Sequence, residues 1–154
     1  MRRSVVGVIV AVLAALVVPG AAGAAATIRY VEPAGVCGGK TPCYTSIQDA
    51  VDASDPGDSI RVSPGVFYEQ VTVDEAVDLA GAGSGTVIDA GGTGVALTVG
   101  AAGATVRRLA VTDAAYGVAV VASLATVSEV RVTAMSTVGI LTDYSVTGTV
   151  LRKV

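Results

Sequence analysis

Short bursts of alternating apolar and polar residues, separated by glycine-rich turns, run through most of the chain after residue 58. The first burst, 59–63, places Ile60 and Val62 on one side and polar side chains on the other. A period of two residues indicates β-strands with one buried side. Helices are disfavoured in this region, because each glycine inside a helix costs about 1 kcal/mol and Val and Thr prefer strands.

A longer repeat accompanies this alternation. Gly-Val or Gly-Ile pairs recur at nearly even spacing, at Gly94, Gly117 and Gly139. A second strand-like segment follows each pair, beginning near Val106, Val127 and Val150. Hairpin-based sandwiches have a shorter spacing between strands, without a longer repeat. A period of about 22 residues instead indicates a coil of two or three strands per turn, with successive turns stacked at about 4.8 Å.

One segment, 46–53, has the periodicity of a helix. Its apolar side chains share a face from Ile47 to Val51, and Thr45 and Gln48 have the spacing of a capping box. The end of a stacked coil exposes unpaired backbone groups, so we expect this helix to cap the N-terminal end. The predicted fold is all-β: a parallel β-helix (solenoid) of about four to five coils with an N-terminal capping helix.

Residues 1–26 have the composition of a secretory signal peptide. Arg2 and Arg3 precede an apolar stretch from Val5 to Val18, which is shorter than the roughly 20 residues of a membrane-spanning helix. Cleavage is expected after Ala24 or Ala26, and an uncleaved anchor is the alternative. The protein is therefore expected to be secreted or at the cell surface, with no membrane attachment after cleavage.

The remaining residues, 27–154, form one predicted β-helix domain, with a cap region at 27–58 and coils at 59–154. The formal charge is −3 for the whole chain and −5 without Arg2 and Arg3. No run of Lys or Arg is present, so nucleic-acid binding is not expected.

The chain contains no His, Trp or Asn. The lack of His removes the commonest general base and the commonest transition-metal ligand. Cys37 and Cys43 are the only cysteines, and a disulfide is the favoured interpretation in an oxidising compartment. A redox role is the weaker alternative because the spacing is not C-x-x-C, and a zinc site would need two further ligands.

A series of motifs opens the mature chain. They are Tyr30-Val31-Glu32-Pro33, the loop from Cys37 to Cys43, Ser46-Ile47-Gln48-Asp49-Ala50-Val51, the segment from Pro56 to Val62, and the segment from Pro64 to Glu69. In this order they resemble the start of right-handed parallel β-helix proteins of the pectin-lyase-like group. The resemblance covers nearly all of the mature chain. It implies a right-handed coil and a protein that handles acidic or neutral polysaccharides as a lyase, hydrolase, epimerase or binding domain.

The resemblance brings no complete active site with it. Hydrolases of the group use clustered Asp residues with a His and an Arg-Lys pair, and its lyases use several acidic calcium ligands with an Arg base. The nearest counterparts here are Asp89 and Asp113, which are separated by about one period of the repeat. Stacked on adjacent rungs about 5 Å apart, they would form a metal site in which calcium relieves their repulsion. Arg131 is expected on the same side as a substrate contact. The alternative is that both aspartates form turns and Arg131 is a solvated strand residue.

Three tyrosines, Tyr68, Tyr116 and Tyr144, are candidate stacking platforms for sugar rings, with Tyr116 and Tyr144 proposed as substrate contacts. Their alternative role is to cover a corner of the core. Glu69, Asp74 and Glu75 form a local acidic group that we interpret as a solvated turn.

The predicted function is a secreted β-helix module, structural or carbohydrate-contacting, without catalysis of its own. The alternative is a calcium-dependent polysaccharide lyase or glycoside hydrolase of the pectin-lyase-like group, whose substrate groove needs coils on both sides. The strand-like sequence pattern continues to Val154. We therefore expect either the N-terminal part of a longer protein or a protomer that associates with another chain through its open C-terminal end.

Overall fold

The computed structural model describes residues 25–143 and 145–154. Most of the predicted signal peptide lies outside these residues. Within them, no helix is both long enough and apolar enough to cross a membrane.

The described residues form mainly short strands. There is an α-helix, α1 (Ile47–Asp52), and a short 3₁₀ turn at Cys37–Gly39. The strands are β1 (Ile28–Val31), β2 (Cys43–Tyr44), β3 (Ser59–Val62), β4 (Gly65–Tyr68), β5 (Val71–Val73), β6 (Asp78–Ala80), β7 (Thr86–Asp89), β8 (Val95–Val99), β9 (Thr105–Thr112), β10 (Ala114–Val120), β11 (Thr126–Val132), β12 (Met135–Thr142) and β13 (Val150–Arg152).

All pairings between these strands are parallel. One sheet has the strand order β13-β11-β9-β6-β3-β1-β2, with β4 and β7 alongside, and the other has the order β12-β10-β8-β5. From β3 to β12 the chain visits both sheets in every turn, and each strand pairs with its counterpart in the next turn. The fold is an all-β parallel solenoid of about four turns, which confirms the predicted architecture at this level.

The larger sheet bends around a corner, and this gives the solenoid three faces. Both β9 and β11 cross the corner, at Arg108 and Glu129, where the backbone turns to positive φ. Residues of β9 before the corner pair with β6, and residues after it pair with β7. The faces are face 1 (β1, β2, β3, β6, β13 and residues 105–107 and 126–128), face 2 (β4, β7 and residues 109–112 and 130–132) and face 3 (β5, β8, β10 and β12).

The register differs from the sequence repeat in two rungs. Val118 of β10 lies beside Leu97 of β8, so the expected alignment of Gly94 with Gly117 is wrong by two positions. The cause is a longer turn. Asp89 pairs with Thr112 and Val95 pairs with Tyr116. The connection from Asp89 to Val95 is therefore two residues longer than the matching connection from Thr112 to Tyr116. The last rung differs by one position, because Leu151 rather than Val150 lies beside Val127.

Columns of apolar side chains fill the interior. On face 1, Ile60, Leu79, Val106 and Val127 lie side by side on successive rungs and are fully buried. Each contributes roughly 1.5–3 kcal/mol relative to an exposed position. Leu151 continues this column in the last rung but is 41% exposed. The predicted self-association through this end stays a prediction.

The helix prediction is correct in place, but its cap differs. The N-cap residue is Ser46 rather than Thr45, and its hydroxyl accepts a hydrogen bond from the Asp49 N–H at 3.2 Å. The helix buries Ile47, Ala50 and Val51, the apolar face expected from the sequence.

Glu69 completes the cap from the first rung. Its carboxylate accepts hydrogen bonds from the Ser46 hydroxyl at 2.9 Å, the Ile47 N–H at 2.8 Å and the Gln48 N–H at 3.0 Å. The expectation that Glu69 belongs to a solvated turn is therefore wrong. The first N–H groups of a helix lack partners within it, and a carboxylate from the next part of the chain satisfies two of them here.

Two further links secure the N-terminal region. A disulfide joins Cys37 and Cys43, as predicted. The buried side chains of Arg29 and Asp58 form an ion pair at 3.2 Å, and Asp58 also accepts the N–H groups of Thr27 and Asp55 at 2.6 and 3.0 Å. Burial would raise the pKa of Asp58, but these N–H groups and the guanidinium outweigh it and lower the pKa.

Candidate functional site

The two predicted metal ligands do not stack. Asp89 lies beside Thr112, so Asp113 is one position beyond the matching residue and the expected alignment of the two carboxylates is wrong. The Asp89 carboxylate instead accepts the Gly91 N–H at 3.0 Å, which is a turn-forming contact. In the described part of the chain, no three His, Cys, Asp or Glu side chains converge in a way that could hold a metal ion. The calcium site stays a prediction.

The predicted substrate contacts lie on different faces. Arg131 is exposed on face 2, where it lies beside Ala110. Tyr116 is half-buried on face 3, between Val95 and Val138. Tyr144 lies outside the described residues. Tyr68 is 81% exposed and lies beside Asp89 on face 2.

A cleft of about 560 Å³ follows the corner between faces 1 and 2. We call it the corner groove and define it by Ala82, Gly83, Ser84, Arg108, Leu109, Glu129, Val130, Arg131, Val132, Lys153 and Val154. It contains four charged side chains: Arg108, Glu129, Arg131 and Lys153. Of the predicted site residues, it contains Arg131.

Three of these charged residues have an unusual backbone conformation. Arg108, Glu129 and Lys153 have φ values of 56°, 55° and 51°. They form one column, because the residues just before them, Arg107, Ser128 and Arg152, are paired across the rungs. A left-handed conformation costs a residue other than glycine roughly 1–2 kcal/mol. The corner therefore holds a charged side chain on each of three successive rungs at a position where glycine would be less strained.

Beside the groove, face 1 carries a three-membered ion network. Asp78 receives two hydrogen bonds from Arg107, at 2.7 and 3.0 Å, and one from Arg61 at 3.1 Å. The hydrogen bond from Arg107 is the main reason that the pKa of Asp78 is lowered. In return, Asp78 raises the pKa of Arg107. These contacts tie both guanidinium groups to Asp78 on face 1.

The outer surface of face 1 and the corner groove together form a basic strip, defined as Arg61, Arg107, Arg108, Arg131, Arg152 and Lys153. Only Lys40 and the buried Arg29 lie outside the strip among the Lys and Arg residues that the structure describes. Two of the protein's 13 acidic residues, Asp78 and Glu129, lie within it. Sequence reasoning missed the strip, although aligning the rungs on Val106 and Val127 would have placed Arg108 and Glu129 at the same corner position.

Neither protein-family models, curated proteins nor solved structures include a match to this chain. The likeness to the pectin-lyase-like group therefore rests on the sequence motifs and the solenoid architecture.

Proposed function

We propose that the chain is a secreted parallel β-helix module, right-handed like the pectin-lyase-like group, that contacts carbohydrate through the outer surface of face 1. The observation that supports this role is the repetition of polar positions along that face. Ser59, Asp78, Thr105 and Thr126 occupy one column across the rungs. A polymer of repeating units that lies along the solenoid meets equivalent groups about every 4.8 Å.

A second column reinforces the first. Arg61, Arg107 and Arg152 alternate with Ala80 and Ser128 along the same face. Guanidinium groups present several N–H donors in a fixed plane, and the hydroxyls of the first column both donate and accept. This combination suits the hydroxyl and carboxyl groups of a polysaccharide.

In this proposal, α1 serves as the N-terminal cap of the coil. The helix contacts β1, β2, β3 and β5, which are strands of the first turns. Without the buried side chains of this helix, that end of the core would be exposed to water. The helix would also hinder another chain from pairing with that end.

Affinity electrophoresis through gels that contain neutral or acidic polysaccharides tests the proposal. We expect at least one polysaccharide to retard the protein. Thr126→Glu on face 1 is expected to weaken the retardation, whereas Thr98→Glu, the same change at an outward position of face 3, is not. Equal mobility in every gel would refute a carbohydrate-contacting role.

The alternative, a calcium-dependent lyase, has its own assay. A calcium-dependent rise in ultraviolet absorbance during incubation with polygalacturonate would report an unsaturated product. That result would replace the binding role with catalysis.

A further inference from the structure

The three faces end differently at the N-terminal end of the coil. On face 1, carbonyl groups from residues 42–44 cover the outer edge of β1 and accept the Tyr30 and Glu32 N–H groups, both at 3.0 Å. On face 3, the side-chain amide of Gln48 covers the outer edge of β5. It accepts the Thr72 N–H at 2.7 Å and donates to the Thr72 carbonyl at 3.2 Å. The cap region therefore supplies hydrogen-bond partners to the first strand on both of these faces.

The first strand of face 2, β4, has no such cover. Gly65 donates its N–H to the Gly85 carbonyl at 2.8 Å, so its backbone groups point towards the next rung. Because this direction alternates along a strand, the N–H and carbonyl groups of Val66 and Tyr68 point the opposite way. Within residues 25–143 and 145–154, no hydrogen bond reaches these groups. They are therefore available for pairing with another strand.

This edge is open because the first coil lacks a strand on face 2. After β1 the chain turns at residues 32–35, where the Gly35 N–H donates to the Glu32 carbonyl at 2.9 Å and Gly35 has a φ of 69°. Pro33 lies against Gly65, since a Cβ added there would be 2.5 Å from Pro33 Cγ. The chain thus leaves the coil at the start of face 2 and next forms a strand at β2, beside β1. The described residues leave the place of one strand next to β4 unfilled.

A cleft of about 390 Å³ occupies this place. We call it the strand slot and define it by Pro33, Thr45, Ser46 and residues 66–69. Pro33 closes one end, and Glu69 closes the other because its carboxylate is bonded to Ser46 and to the start of α1. The positions between these ends, 66–68, span about 10 Å of extended chain.

The depth of the strand slot favours a single extended segment over a second folded copy. On face 1, β1 and β2 continue the sheet beyond the rung of β3 and β4 by two strand spacings, or about 10 Å. A second solenoid would meet these strands before one of its own edges reached β4. An isolated peptide strand is narrow enough to enter.

The side chains around the strand slot favour a basic peptide. Tyr68 is 81% exposed and lies beside Asp89. An adjoining cleft of about 400 Å³ contains both residues together with Glu69, and no Lys or Arg of the described residues lines either cleft. A cationic side chain over the Tyr68 ring would meet a π face and a carboxylate. Phe67 points inward and is only 4% exposed, so a side chain beside it has to be small.

We propose that the strand slot binds an extended peptide of another protein by β-augmentation, in the parallel direction of the other strand pairs. The peptide places a small apolar side chain beside Phe67 and an Arg or Lys beside Tyr68. Its main chain pairs with the exposed backbone groups of Val66 and Tyr68, and the cation approaches Asp89. This site is separate from the proposed carbohydrate contact, which uses the outer surface of face 1.

Nuclear magnetic resonance of the isotope-labelled protein with the blocked peptide Thr-Val-Ala-Arg-Thr tests the proposal. The alanine of the peptide is expected beside Phe67 and its arginine beside Tyr68. At saturation, hydrogen exchange of the Val66 and Tyr68 amides is expected to slow about tenfold or more. The Phe67 amide faces β7 and is the internal reference, with unchanged exchange.

Two altered peptides test the mode of binding. N-methylation of the alanine removes the N–H that would donate to the Val66 carbonyl, and binding is expected to weaken about tenfold. Replacement of the arginine by glutamate places a negative charge near Asp89 and Glu69, and binding is expected to weaken about fivefold.

Variants of the protein separate the edge from the fold. Val66→Pro removes the N–H that faces the strand slot but leaves the bonds of Gly65 and Phe67 to β7, so binding is expected to fall about tenfold in a folded protein. Val66→Thr keeps this N–H and is the matched control, with unchanged binding. Tyr68→Ser changes an exposed side chain, so it is expected to reduce the preference for arginine over glutamate in the peptide without a change in melting temperature.

The outcomes are distinguishable. Unchanged exchange of the Val66 and Tyr68 amides at millimolar peptide, or equal binding of the parent and N-methylated peptides, would overturn the proposal. Protection of these amides without peptide that rises with protein concentration would show that a second copy fills the strand slot. Protection without peptide at every concentration would show that the chain's own residues 1–24 fill it. Either result would overturn the choice of partner.

Discussion

The contact between Gly117 and Gly139 permits a sharp test of the register. A Cβ atom at Gly117 would lie 2.4 Å from the Gly139 carbonyl oxygen, 2.5 Å from Val132 Cγ1 and 3.1 Å from Met135 Sδ. The valine and methionine side chains are able to move, but the carbonyl belongs to the backbone of β12. Gly117→Ala therefore has to push β10 and β12 apart by about 1 Å to restore an ordinary contact.

We expect Gly117→Ala to lower the free energy of unfolding by about 2 kcal/mol. Overpacking in a core costs roughly 1–3 kcal/mol, and a value in the middle is appropriate because β12 is the outermost strand of its sheet and is able to yield. Gly139→Ala is the matched control. Its Cβ would meet only Val132 Cγ1, at 3.6 Å, and its φ is not positive. That variant is expected to be neutral or to gain about 0.4–1 kcal/mol from the less flexible unfolded chain.

Urea unfolding of the three proteins, monitored by circular dichroism, measures the difference. The midpoint of Gly117→Ala is expected to fall with an unchanged slope, since the substitution alters stability rather than the surface exposed. If the two alanine variants unfold at the same urea concentration, Gly117 does not face the Gly139 backbone. The assignment of these rungs would then be wrong.

Other predictions concern the charged residues. Asp58→Asn is expected to lower the free energy of unfolding in urea by about 3–5 kcal/mol, because it leaves the buried Arg29 without a counter-charge. Adding Arg29→Met should recover part of this loss, and a mild effect of the single variant would contradict this account. Glu69→Ala is expected to lower the free energy of unfolding by about 2 kcal/mol, because it leaves two helix N–H groups and a hydroxyl unpaired. Asp74→Ala, at an exposed position, should leave stability unchanged, and equal melting temperatures of the two variants would refute the capping role of Glu69. The pKa values of Asp58 and Asp78 are lowered in the folded protein, so both carboxylates stabilise the fold at pH values above 3.8, their ordinary pKa. This contribution is lost as the pH falls through the lowered pKa values. Melting temperatures measured between about pH 6 and about pH 2 should therefore fall, and Asp78→Asn should flatten part of that fall; an identical profile would exclude Asp78 as a contributor. Reduction of the disulfide is expected to lower stability by about 2 kcal/mol by loop-closure entropy, and an unchanged midpoint under reducing conditions would argue against this estimate.

The architecture was predictable because it depends on local periodicity. The alternation of Ile60 with polar neighbours and the repeat near Val106 and Val127 were sufficient to indicate stacked parallel strands. The register was harder to predict, because the similar sequences at Gly94 and Gly117 occupy different positions in their two rungs. The longer turn after Asp89 produces the offset, and turn length leaves no periodic signal.

A register difference also explains why the predicted metal pair was misplaced. Asp89 and Asp113 are 24 residues apart in the sequence, whereas β7 pairs with β9 at an offset of 23 residues, which places Thr112 beside Asp89. The role of Glu69 was hidden for a different reason. It caps a helix that lies well before it in the chain, and no local pattern reports such a contact.

The same constant offset in sequence links β8 to β10 and β9 to β11, and this makes part of the chain a transferable unit. A tandem copy of residues 105–125 inserted after Ala125 would offer its neighbours the same ladder of N–H and carbonyl groups and the same inward side chains. The gene is thus able to lengthen the protein by duplication of a short block, without redesign of the flanking turns. Each added copy would bring another Arg107 and Arg108, so every duplication would lengthen the basic strip by two cationic residues.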